Sequence, residues 1–212
     1  MRYILIIFFI FIFSLTVISC AKKDDSSSSS SAAGTYQLAT NDYANGVATD
    51  SSGNVYVTGG TKGGLDGNTS AGNTDLFVVK YNSSGTKQWT KQLGSSGLDS
   101  ANGITIDSSG NVYVTGVTFG GLDWNTSAGA NDLFVVKYNS SGTKQWTKQL
   151  GTSSYDYARG VATDSSGNVY VTGETGGGLD GSNAGNYDLF VVKYYDNGTK
   201  QWTKQLGIGS SE

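Results

Sequence analysis

The chain of 212 residues has no histidine and no proline, and its only cysteine is Cys20. Each absence closes off a chemistry. Without histidine there is no imidazole base, so Ser-His-acid and Cys-His nucleophilic arrangements are excluded. Zinc and copper centres normally need His or Cys ligands, so no metal and no cofactor is expected. One cysteine makes no internal disulfide, so nothing of that kind staples the fold. Charge is sparse as well: 15% of residues are Asp, Glu, Lys or Arg, and the net charge is −3. The lysines form no basic block that could neutralise a phosphate backbone, so nucleic acid is not an expected partner. Carboxylates, Lys, Tyr, Ser and Thr remain for any chemistry. Glycine is abundant, with 31 residues, and Val, Thr and Tyr are common, which is a composition of short strands and tight turns.

One phrase is repeated. "GVATDSSGNVYVTG" occupies 46–59 and again 160–173, with the near copy "GITIDSSGNVYVTG" at 103–116. Gly46, Gly103 and Gly160 therefore stand 57 residues apart, a period that marks a repeat architecture. In the first copy "GVATD", "NVYVTGG", "DLFVVKYN" and "TKQWTKQLG" read as four strands. Asp50 and Asn82 each precede Ser-Ser-Gly, where the side chain caps a turn and the glycine accepts positive φ. In the third copy Asn197-Gly198 gives the hairpin signal instead. "VYVT" and "FVVK" are continuous and suit strands covered on both faces. "KQWTKQL" alternates, with Trp89, Lys91 and Leu93 on one face and Gln88, Thr90 and Gln92 on the other, as in a half-exposed outer strand. The expected fold is all-β: an array of three four-stranded antiparallel blades of a β-propeller, forming an incomplete ring. The repeats run at about 46–102, 103–159 and 160–212; residues 34–45 align with 148–159, and 35–45 read as an orphan outer strand.

"GVATDSSGNVYVTG" followed by "DLFVVKYNSSGTKQWTKQLG" resembles the SBBP repeat, a β-propeller repeat of many bacterial surface and secreted proteins, and more distantly the NHL repeat. The resemblance covers 46–209 and is specific for the blade, while implying little about function. Propellers close with about 4–8 blades, so three leave an apolar face uncovered at each end. Three resolutions stand open: two chains joined in a six-bladed ring, a fragment of a longer chain, or a compact packing of three sheets. Residues 76–94 and 133–151 are the same nineteen letters, which suggests recent duplication.

The first residues are of another kind. "MRYILIIFFIFIFSLTVISC" has Arg2 and then an apolar run over 4–18, the layout of an export signal. The run is short of the ~20 apolar residues of a spanning helix. "VISC" resembles a relaxed lipobox of bacterial lipoprotein signal peptides, with Val17, Ile18 and Ser19 before the cysteine. The resemblance implies a signal over 1–19, lipidation at Cys20, and anchoring in the bacterial envelope, at the outer membrane or cell surface. Residues 20–34 carry six consecutive serines and little to bury, and read as a disordered tether ahead of a repeat domain over 35–212.

For sites, the loops between second and third strands vary most between copies, and loops carry function more often than strands. Trp124 replaces Gly67 and Gly181 there, and can either stack on a partner or fold back on its own blade. Phe119, Tyr187, Asp66, Asp123 and Asp180 are further ligand-binding candidates in these loops. Asp50, Asp107 and Asp164 read as turn caps rather than cation ligands, and Asp75, Asp132 and Asp188 as strand-entrance caps rather than a lining of the top surface. Trp89, Trp146 and Trp202 read as packing residues. The expected function is non-enzymatic: a lipid-anchored envelope protein whose repeats bind or scaffold a protein or glycan, with homodimerisation open. The alternatives are a carboxylate-based glycan-active enzyme, for which Glu174 and Arg159 are the unmatched charges, or a truncated paralogue with no function of its own. An acid pair at about 5–10 Å would be needed for the enzyme.

Overall fold

A computed structural model describes residues 41–209. Twelve strands follow one another: β1 (Tyr43–Thr49), β2 (Val55–Thr61), β3 (Asp75–Tyr81), β4 (Lys87–Leu93), β5 (Asp99–Ile106), β6 (Val112–Thr118), β7 (Asp132–Tyr138), β8 (Lys144–Leu150), β9 (Asp156–Thr163), β10 (Val169–Thr175), β11 (Asp188–Tyr194) and β12 (Lys200–Leu206). They form three four-stranded antiparallel meanders, β1–β4, β5–β8 and β9–β12, so the expected three blades are present. The blades open a few residues ahead of the repeated glycines. Residues 43–45, part of the expected orphan strand, belong to β1, while 35–40 lie outside the described residues. The signal, Cys20 and the tether lie outside them too.

The turns follow the local chemistry. The Asp50 carboxylate accepts the amides of Ser52 and Asn54 at 2.9 and 3.0 Å, and the Asp50 carbonyl accepts the Gly53 amide at 3.0 Å. Gly53 closes that loop at φ 76°, a conformation glycine adopts without a Cβ penalty.

Adjacent blades are joined by apolar faces. Leu76, Val78 and Tyr56 of the first blade meet Val112, Val114, Phe134 and Val136 of the second, with Trp89 and Leu93 at the margin. Leu133, Val135 and Tyr113 on the second blade's other face meet Val169, Val171, Phe190 and Val192 of the third. The first strands β1, β5 and β9 are neighbours, so they lie innermost and the "KQWTKQL" strands outermost. A β-bulge in each first strand pushes one residue out of register: Asn45, Asn102 and Arg159. The bulge aims the amide across the joint: Asn45 Nδ2 donates to the Ala101 carbonyl, and Asn102 Nδ2 to that of Ala158, each at 2.9 Å. Burial by a neighbour thus explains why β6 and β7 are buried along their whole length.

Candidate functional site

The blade has two ends of different character. The hairpin turns gather at one end. There Asp50, Asp107 and Asp164 each cap their own turn and also accept the hydroxyl of Tyr56, Tyr113 or Tyr170 at 3.0–3.1 Å. Burial pushes the Asp50 carboxyl up, but the amide and hydroxyl donors around it outweigh that and hold it below the usual carboxylate range. These oxygens are engaged by their own turns, as the capping assignment expects.

The long loops and the links between blades gather at the other end. Asp75, Asp132 and Asp188 sit buried at the start of β3, β7 and β11. In the first blade Asp75 accepts the Ala71 amide and Gln92 Nε2, both at 2.7 Å, while Gln92 Oε1 accepts the Leu65 amide at 2.8 Å. The second and third blades repeat this with Gln149 and Gln205. The fourth-strand glutamine, which the alternation only assigned to one face of a half-exposed strand, ties the loop to the strand. The other oxygen of each aspartate lies over the α-carbon of Gly94, Gly151 or Gly207, where a methyl would come within 2.1, 1.9 or 1.7 Å. Only glycine fits there.

A second carboxylate series went unread as a site element. Asp99 and Asp156, fully buried, accept the amides of Ser95 and Thr152 at 2.6 Å. Their own amides donate to the Thr74 and Asn131 carbonyls of the preceding blade at 2.7 and 3.0 Å. Burial raises the Asp99 carboxyl. The recurrence of Asp where β1, β5 and β9 open (Asp42, Asp99, Asp156) was the available signal. Tyr187 stands where Thr74 and Asn131 bridge to the next link.

On this braced end the candidate residues separate. Asp66 and Asp123 form ion pairs with Lys87 and Lys144 of their own outer strands, and Asp180 lies 3.6 Å from Lys204. The hydrogen bond from Lys87 holds the Asp66 carboxyl below its usual range. Each aspartate is therefore a loop clamp within its blade. Trp124 is fully exposed, so it does not fold back on its blade. It is held at φ 67°, where the matching Gly67 and Gly181 have φ 81° and 119°. Phe119 and Tyr187 are about half exposed on the same end. Tyr155 stacks on Tyr157 with ring centroids 6.3 Å apart and planes 1° from parallel. Burial raises the Tyr157 phenol, and the Tyr187 phenol adds to it. Tyr155 and Tyr157 were missed; their aromatic pairing lies in a link region read only as connection. Arg159 and Glu174, the unmatched charges, form an ion pair with each other. Trp89 packs edgewise on Tyr56 and Trp146 at a tilt on Tyr113, with ring centroids 6.0 and 6.2 Å apart, as packing residues.

Consecutive four-stranded meanders stacked through their faces, with first strands innermost, define a β-propeller-type array. The SBBP family, described as a beta-propeller repeat, matches residues 37–66, 88–123 and 145–180. The chain thus carries three copies of the SBBP repeat. Curated relatives include an uncharacterized WD repeat-containing protein of Acanthamoeba polyphaga mimivirus, 30% identical over 179 residues that make up 70% of this chain and 13% of that protein. Another is the regulatory protein FlaEY of Caulobacter vibrioides, 27% identical over 186 residues, 77% of this chain and 20% of that protein. The chain thus spans a fifth or less of the length of either relative. Among solved structures, a Synechocystis apocarotenoid oxygenase variant superposes with a TM-score of 0.41 at 11% identity, over 72% of this chain and 35% of that one.

Proposed function

We propose that this is a non-enzymatic, lipid-anchored protein of the bacterial envelope whose loop end binds a protein or glycan, with Trp124 as the anchor of the contact. The observation that carries the reading is Trp124 itself. A fully exposed indole stands in left-handed backbone at a position where both sister blades have glycine. Such backbone costs about 1–3 kcal/mol, persists only where the surrounding structure over-determines it, and clusters at functional sites. An indole offers a flat apolar face for a sugar ring or a partner's pocket, plus one N–H donor. Phe119, Tyr155 and Tyr187 extend the aromatic character of the same end. The loop carboxylates are clamped to lysines, which favours binding over acid–base chemistry at that face. The anchor rests on the apolar run and Cys20 of the sequence.

Trp124→Gly tests the reading. Relief of the backbone should raise the melting temperature slightly, by about 1 kcal/mol of stability. Binding of the purified chain to isolated envelope should fall about tenfold, equivalent to 1.4 kcal/mol. Protease-treated and glycan-depleted envelopes distinguish the two partner classes. Unchanged binding with a raised melting temperature would remove Trp124 from the site. Incorporation of a labelled fatty acid, lost in Cys20→Ala, tests the anchor separately.

A further inference from the structure

Among the described residues the array ends on two open faces, and these are the two halves of one joint. We propose that a second copy of this chain docks on them, the third blade of each copy packing on the first blade of the other, to close a six-bladed ring. On the third blade the open face carries Leu189, Leu206 and Trp202, which are 54%, 67% and 38% exposed. These match Leu133, Leu150 and Trp146, which the second blade uses to hold the third. On the first blade the open face carries Val47, 68% exposed, with Val55, Val57 and Tyr81 partly exposed. Their equivalents Val112, Val114 and Tyr138 are buried against the preceding blade. Each open face therefore already has its complement in this chain, displayed at the opposite end.

Two glycines show the vacant joint directly. A Cβ on Gly142 or Gly198 would meet the preceding blade's indole, Trp89 or Trp146, at 2.9–3.0 Å, whereas one on Gly85 meets nothing within 4 Å. A Cβ on Gly103 would lie 3.2 Å from the Gly160 α-carbon of the next blade, and one on Gly46 lies 3.3 Å from Ile104 Cγ2. On Gly160 it meets only Thr172 of its own blade, at 3.5 Å. Gly85 and Gly160 are the positions that a second copy would fill, with Trp202 over Gly85 and Gly46 against Gly160. The contact is heterologous, so it either closes or propagates. Closed propellers have about 4–8 blades, and two copies of the three described blades make six. Arg159 replaces the bulge amides of Asn45 and Asn102 at this joint and keeps donors to offer across it.

The test is the mass of the full chain in detergent, by sedimentation equilibrium with the detergent density-matched. Two copies are expected. Gly160→Leu, which its own blade accommodates, should give one copy with an unchanged β-sheet circular dichroism spectrum. Leu206→Asp, on an exposed outer strand, gives the same reading should Gly160→Leu lose its sheet signal. Ser83→Asp should tighten the dimer by about threefold, because it places a carboxylate opposite Lys193 of the other copy as Asp196 stands opposite Lys137. A single copy for the unaltered chain at tens of micromolar overturns the proposal. So does an unbounded ladder of masses. Two copies persisting in both Gly160→Leu and Leu206→Asp would overturn it too, since association would then run through another part of the chain.

Discussion

The strands β7 and β11 have the same seven letters, DLFVVKY, and different surroundings. In the second blade all seven residues are buried. In the third they alternate, with Leu189 exposed and Val191 partly so. Nothing in the strand differs; the described residues place a blade after the second and none after the third. Burial in this fold has two sources that sequence alone does not separate. Some contacts are internal to a blade and recur in every copy, such as the turn caps and the buried aspartate over its glycine. Others belong to a joint and exist only where another blade lies alongside. Solenoid-like arrays are stabilised by this sum of unit and neighbour terms.

The largest effect should separate the same substitution at the two strands. Leu133→Ala removes a fully buried side chain from the joint between second and third blades and should cost about 2–5 kcal/mol. Leu189→Ala should cost about 0.5 kcal/mol in dilute solution. Chemical denaturation of the two variants at low protein concentration measures the gap. Equal costs would erase the distinction between the two strands.

The comparison also explains how much was legible beforehand. Four strands per repeat, the capped Ser-Ser-Gly turns and the outer position of "KQWTKQL" could be read because their causes are local: Asp50 bonds to residues two and four ahead. Gln92 could not, because its partners Asp75 and Leu65 are 17 and 27 residues away. Asp99 was hidden for a related reason: its amide closes onto Thr74 of another blade. Trp124 was legible as the odd residue in a glycine position, but its exposure was not, since a loop indole can fold either way. The lysine clamps on Asp66 and Asp123 are set by loop geometry that period-two patterning does not contain.

A within-blade contact should behave alike everywhere. Gly151→Ala forces a methyl into the Asp132 carboxylate and should cost about 1–3 kcal/mol. Gly207→Ala should cost the same although its blade has an open face, because the Asp188 contact lies inside the blade. Denaturation midpoints of the pair sharpen the division. A much milder Gly207→Ala would mean that end blades relax internally, and that joint and blade terms are not separable.

The smallest effect concerns the two joints themselves. Between second and third blades, Asp196 pairs with Lys137, accepts the Tyr113 hydroxyl at 3.0 Å, and its carbonyl accepts Trp146 Nε1 at 3.0 Å. Between first and second blades the same place holds Ser140, and Lys80 lies over the Tyr56 ring without a carboxylate from that turn. The hydrogen bond from Lys137 holds the Asp196 carboxyl below its usual range. A depressed folded-state value means stability that is fully present above the unfolded carboxyl's pKa, roughly 3.9, and lost as pH falls through the folded value. Asp196 is 60% exposed, so solvent screens the pair and Asp196→Ser should cost only about 1 kcal/mol at neutral pH. The difference between the two proteins should be flat above that range and vanish in acid. Ser140→Asp should import the same increment, with the same acid sensitivity, into the other joint. If Asp196→Ser lowers stability equally at every pH, the turn's backbone rather than its charge holds the third blade, and the joints differ in shape and not in electrostatics.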